Sequence, residues 1–155
     1  MVRPVLAMAL FVSGCASQGT AVLPQSTDER TAQVQAAAQA VKLGQYEHAE
    51  RLLADYLYRD ADNGLRFKSF SLSSAAKKQA TDTVALLLWE TGRDASLETF
   101  AKRYLSGYER DVMLCRLAER NARYKQAFEC WNKLGDSDRA KRVLKTEAAL
   151  RILKD

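Results

Sequence analysis

The sequence predicts an all-α domain of helical hairpins stacked as a short solenoid or bundle, and three observations carry that prediction. From Asp28 onward apolar residues recur at spacings of three and four, the period of a helix surface. Gly44, Gly92 and Gly135 each close such a stretch, and each is followed five positions later by Ala49, Leu97 or Ala140. No segment alternates with period two for long enough to argue for a sheet. At 155 residues, 47% hydrophobic and 28% charged, the chain suffices for one core and is too short for a multidomain enzyme. Two prolines and seven glycines exclude a fibrous, Pro/Gly-rich protein.

The chain begins with a short basic start, Met1-Val2-Arg3-Pro4, followed by an apolar run from Val5 to Val12 and then Ser13-Gly14-Cys15. Eight apolar residues are too few to span a bilayer, which takes about 20. A positive start, a short apolar core and small residues at the cut are the order of a secretory signal peptide, here residues 1–14. Val12-Ser13-Gly14-Cys15 resembles the lipobox of bacterial lipoproteins, whose usual form is Leu, Ala or Ser, Gly or Ala, then Cys. The resemblance implies that Cys15 is diacylated on sulfur, becomes the new N-terminus and is acylated on its amine. Two or three chains make an effectively permanent anchor, where one holds only marginally. Ala16 and Ser17 follow in place of the Asp that retains such proteins at the inner membrane, so the resemblance implies the outer membrane of a Gram-negative cell. The periplasmic face is expected, although the anchor does not itself choose between that face and the outer surface. Residues 15–27, from the lipidated Cys15 onward, hold Gly19 and Pro24 without hydrophobic periodicity and are expected to form a flexible tether to a helical domain over 28–155.

Within that domain the first helix is expected over Asp28 to Leu43, stopped by Gly44. The second carries Tyr46, Ala49, Leu53, Tyr56 and Leu57 as one apolar stripe. Residues 59–73 read as an irregular connection containing Asn63-Gly64. Ser73 or Ser74 caps a third helix with the stripe Ala76, Ala80, Val84, Leu87 and Leu88, ending at Gly92. Asp94 is expected to cap the fourth, which ends near Gly107. The fifth and sixth, about Tyr108 to Asn121 and Tyr124 to Leu134, flank a short turn, and Asp136 or Ser137 caps the last, which runs to about Leu153.

Asn121-Ala122-Arg123-Tyr124-Lys125-Gln126-Ala127 repeats the Tyr-x-x-Ala of Tyr46 to Ala49. The segment Leu43-Gly44-Gln45-Tyr46-Glu47-His48-Ala49 resembles the helix-turn-helix corner of a tetratricopeptide repeat, where a small residue early in the second helix lets two helices approach closely. The resemblance covers corners and not whole repeats. Gln33, Ala36 and Ala40 stand where that family favours large residues, and the glycines lie 48 and 43 residues apart against a usual period of about 34. An irregular helical bundle is the alternative.

Cys115 and Cys130 are equidistant from the Ala122-Arg123 turn, so an antiparallel hairpin sets them at matching heights. In an oxidising compartment they are either a disulfide closing about 15 residues, worth about 3 kcal/mol, or two small residues flanking the core. Catalytic motifs are scarce. His48 is the single histidine, and no G-x-S-x-G, phosphate loop or C-x-x-C occurs. Ser74-Ala75-Ala76-Lys77 matches S-x-x-K without the companion motifs of that enzyme class, and reads as a helix start. No cofactor, no metal site and no enzymatic activity is expected.

The net charge of +5 is uneven. Residues 15–99 carry nine basic and eleven acidic side chains, whereas residues 100–155 carry fourteen and eight. The basic end favours an acidic partner. The leading expectation is a non-catalytic adaptor or assembly factor for an envelope protein complex such as a pilus or secretion system. The resemblance to outer-membrane tetratricopeptide lipoproteins such as pilotins and scaffolds implies that role. The alternatives are a binding module for acidic cell-wall or lipid components, or a regulator of a cell-wall enzyme. No nucleic-acid partner is expected. Arg139, Lys141 and Arg142 in the last helix, with Tyr104 and Tyr108, are the candidate contacts, set against solvated-surface and core roles respectively.

Overall fold

The computed structural model describes residues 26–61, 64–68 and 72–152. Seven helices occur among them: α1 (Thr27–Lys42), α2 (Tyr46–Leu53), α3 (Ser74–Glu90), α4 (Asp94–Tyr104), α5 (Gly107–Arg120), α6 (Tyr124–Lys133) and α7 (Ser137–Ile152). Among the described residues the protein is all-α apart from one antiparallel pair, β1 (Leu57–Arg59) and β2 (Leu65–Phe67), inserted between α2 and α3. Packing runs mainly between chain neighbours: α1 on α2 and α3, then α3 on α4, α4 on α5, α5 on α6 and α6 on α7.

Two apolar clusters result. The larger joins α1 to α4 through Val41, Leu53, Val84, Leu88, Leu97 and Phe100. The smaller joins α5 to α7 through Cys115, Ala118, Ala127, Trp131, Ala140 and Val143. Helix α5 serves both, since Leu117 belongs to the first cluster and Cys115 and Ala118 to the second.

Four corners share one backbone geometry. Gly44, Gly92, Ala122 and Gly135 have φ of +72°, +68°, +54° and +78°. The next N–H then reaches back five residues: Gln45 donates to the Ala40 carbonyl at 2.9 Å, Arg93 to Leu88 at 3.0 Å, Arg123 to Ala118 at 2.8 Å and Asp136 to Trp131 at 3.0 Å. This is the left-handed helix ending that satisfies otherwise orphaned carbonyls. In the first turn of each following helix Ala49, Leu97, Ala127 and Ala140 are buried, which brings paired helices together. At the third corner an alanine occupies the left-handed position.

Several boundaries differ from expectation. Helix α1 begins one residue earlier than expected, because Ser26 and Glu29 form a reciprocal capping box and Thr27 is already helical. Helix α2 stops at Leu53, so Leu57 is a strand residue and Tyr56 lies in the turn between. The cause is tertiary: the Tyr56 hydroxyl donates to Gln33 Oε1 at 2.8 Å, and Gln33 Nε2 donates to the Leu52 carbonyl at 2.8 Å. Part of the expected irregular connection is therefore a hairpin, held by Asp60, whose carboxylate takes the Gly64 N–H at 2.7 Å and pairs with Arg66. Ser73 is the cap of α3, accepting from the Ala76 N–H at 3.1 Å. Asp94 is the first residue of α4 and not its cap; Arg93 holds that place without a side-chain capping bond.

Candidate functional site

Cys15 lies outside the described residues, as does the segment before Ser26 expected to be a tether. Cys115 and Cys130 are bonded, with Cα atoms 5.4 Å apart, so the hairpin of α5 and α6 is covalently closed. Cys115 does not merely flank the core: it is fully buried within the smaller cluster, while Cys130 is packed at its margin.

The structure separates the five proposed contact residues into two kinds. Arg139 is committed to the fold. Its Nε donates to Glu119 Oε1 at 3.0 Å, and its guanidinium sits 4.1 Å from the Trp131 ring centroid. Tyr104 is committed too: it stacks edge-on to Phe67 with centroids 5.1 Å apart, and its hydroxyl oxygen accepts the Phe67 N–H at 3.2 Å. Each of these two fills a role between elements of the fold. Tyr108, by contrast, is 68% exposed near the start of α5. Lys141 and Arg142 are exposed on α7 and have no ion-pair partner among the described residues.

Helix α7 explains why those two stay open. Ala140 and Val143 point into the smaller cluster. Lys141 and Lys145, one turn apart, fall on the side away from it, and Leu144, one turn after Ala140, is 42% exposed at its margin. Lys145 was not singled out from the sequence, although its place one turn after Lys141 was the signal. Asp138, at the head of the same helix, forms no ion pair with these cations. Beside them a cleft of about 310 Å³ is lined by Glu119, Tyr124, Arg139, Arg142, Val143 and Thr146. It combines a free guanidinium, a phenol and a buried valine floor, chemistry suited to a carboxylate on a partly apolar group.

A row of ion pairs ties successive corners together. Glu50 of α2 pairs with Arg93 before α4, Asp94 of α4 with Arg120 of α5 at 3.5 Å, Glu98 of α4 with Arg123 before α6 at 3.1 Å, and Glu119 of α5 with Arg139 of α7. Trp89 of α3 lies under both Arg116 and Arg120, 5.2 and 4.7 Å from its centroid. The Lys102 ammonium and, behind it, the Arg123 guanidinium hold the Glu98 carboxyl below its ordinary value against the opposing effect of burial. Most arginines of the basic half within α4 to α7 are therefore fasteners, and the accessible positive charge lies with Lys125 and Lys133 of α6 and with Lys141, Arg142 and Lys145 of α7.

Ser74 and Lys77 share a cleft of about 460 Å³ with Arg103 and Ser106, but no hydrogen bond joins them. Their pairing expected of an S-x-x-K nucleophile and base is not formed here. Among the described residues no group of three or more His, Cys, Asp or Glu is placed to hold a metal, and no helix is long and apolar enough to cross a membrane. Comparison of the chain with protein-family models, curated proteins and solved structures finds no match.

Proposed function

We propose that this protein is a lipoprotein held at the outer membrane through Cys15, and that it serves on the periplasmic side as a non-catalytic adaptor or assembly factor for an envelope protein complex. The lipobox and short apolar leader support the anchoring. The observation that carries the adaptor role is the outer face of α7, the last helix of an array packed neighbour on neighbour. One side of this helix is buried against α6, and another presents Lys141 and Lys145 beside the exposed Leu144. Unpaired cations around an apolar side chain suit a partner surface with acidic residues around an apolar anchor. In this proposal the helical corners resemble those of tetratricopeptide scaffolds, and the partner is part of a pilus or secretion machine.

A second function draws on the cleft beside Arg142. Tyr124, Thr146 and Arg142 would suit a carboxylated wall fragment or an acidic lipid headgroup. Mild crosslinking in membranes, followed by purification, separates the two. The adaptor role requires recovery of one envelope protein complex with the native chain and its loss with Cys15→Ala, which should also lack fatty-acid label. Recovery of wall fragments or lipid alone supports the second function, and equal fatty-acid labelling of both chains removes the anchor.

A further inference from the structure

Four side chains of α7, Arg139, Arg142, Val143 and Thr146, recur at spacings of three and four and so form one stripe, which lines a cleft together with Glu119 near the end of α5 and Tyr124 at the start of α6. The cleft measures about 310 Å³. That is the lower end of the ~300–1,000 Å³ of small-ligand sites, so it has room for one end group and not for a sugar chain or a lipid tail.

The polar groups around it are not all open. Arg139 and Glu119 are bonded to each other, Nε to Oε1 at 3.0 Å and Nη2 to Oε2 at 3.5 Å, so their charges cancel. Arg142, one turn further along α7, is exposed and forms no ion pair among the described residues. The Tyr124 hydroxyl forms no hydrogen bond among them either. Both can donate to one anion. Thr146 is different: its hydroxyl hydrogen is taken by the Arg142 carbonyl at 3.0 Å, so toward the cleft its oxygen is an acceptor. Val143, 5% exposed, supplies the apolar wall.

Two donors, one acceptor and an apolar wall are the complement of an anion, an N–H and an apolar group carried together. The single unpaired guanidinium matches one negative charge, and its planar fork matches a carboxylate. A fatty acid brings no N–H, and the middle of a peptide brings no backbone carboxylate. We infer that this cleft takes the terminal residue of a peptide chain, with its free α-carboxylate on Arg142 and Tyr124, its amide N–H on Thr146 and an apolar side chain on Val143. The inference rests on the second function given above and narrows its ligand from any carboxylated fragment or acidic headgroup to a chain end. That chemistry occurs at the carboxyl end of a wall peptide, where D residues are found, and at that of a protein. The site is separate from Lys141 and Lys145 on the outer face of α7.

The test titrates the purified full chain, in detergent, into short peptides labelled with fluorescein at the amino end and ending in D-alanine or in L-leucine, with binding followed by anisotropy. At least one should bind, the better of the two naming the source, and its C-terminal amide should bind about tenfold or more weakly. Replacing the last amide N–H with an ester oxygen should weaken binding about three- to tenfold. Arg142→Gln should reproduce the loss on amidation, and Arg142→Lys, which keeps the charge without the fork, should recover only part of it. Helix content should be unchanged in both variants, because Arg142 is exposed. Ester binding equal to amide binding overturns the chain-end inference and leaves a carboxylate site, so the second function survives it. Equal binding of acid and amide, binding undiminished by Arg142→Gln, or no binding of either acid also overturns the inference; vesicles containing phosphatidylglycerol then decide the second function, which stands if they lose the Arg142→Gln chain and falls if they bind it as well as the native one.

Discussion

Replacing Ala122 by glycine should stabilise this protein, although glycine normally weakens helical proteins. Ala122 sits at φ +54°, the position that glycine fills at the other three corners. A left-handed residue with a Cβ costs about 1–2 kcal/mol, and the extra freedom of glycine in the unfolded chain costs about 0.4–1 kcal/mol. The difference is a gain of about 0.5–1 kcal/mol. The mirror substitution, Gly44→Ala, should lose about the same by the same two effects. No atom lies within 4 Å of the added Cβ there, so only backbone strain enters. For a chain of this length each kcal/mol is about 2–4 °C in Tm. Urea unfolding followed by helical circular dichroism gives both values, with slopes unchanged if only stability moves. A destabilised Ala122→Gly chain would refute the equivalence of the four corners.

Two further outcomes follow from single contacts. Converting Cys115 and Cys130 together to alanine should cost about 3 kcal/mol, since the bond closes a loop of 15 residues; dithiothreitol should lower the native chain to the same urea midpoint and leave the double variant unmoved, and a native midpoint indifferent to reductant would contradict the bond. The Glu98 carboxyl, lowered chiefly by Lys102, contributes stability above its unfolded value near 4.5 that is lost as pH falls through its folded value; Glu98→Gln should therefore flatten the acid limb of the stability profile below pH 4.5, and an acid limb identical to wild type would remove that assignment.

How much of this was legible in the sequence depended on the range of the interactions. The glycine stops and the small residue five positions on are local, and they marked three corners directly. The Ala122 corner was visible only through its Tyr-x-x-Ala echo, because alanine does not signal a positive φ. The stripe of α3 was readable since its buried face follows helical spacing without interruption. The β1–β2 pair was not, for three-residue strands show too little alternation and Leu57 happens to extend the stripe of α2. Gln33 looked out of place in a helix core, yet it latches Tyr56 across 23 residues. The specific partners of Arg139 and Tyr104 were not readable, because Glu119, Trp131 and Phe67 are distant in the chain. Such long-range pairs leave no periodic trace.

The central claim is that the outer face of α7 captures an envelope partner by charge around an apolar anchor. Its most direct measurement is partner capture by the full chain carrying Lys141→Glu and Lys145→Glu, with Arg142 kept because it lines the separate cleft and Arg139 because it holds the fold through Glu119. Capture is compared at low salt and at about 1 M, where the screening length falls to about 3 Å. The variant should lose capture at low salt, and the native chain should lose much of its advantage at high salt. Equal capture by both chains at low salt would contradict the claim.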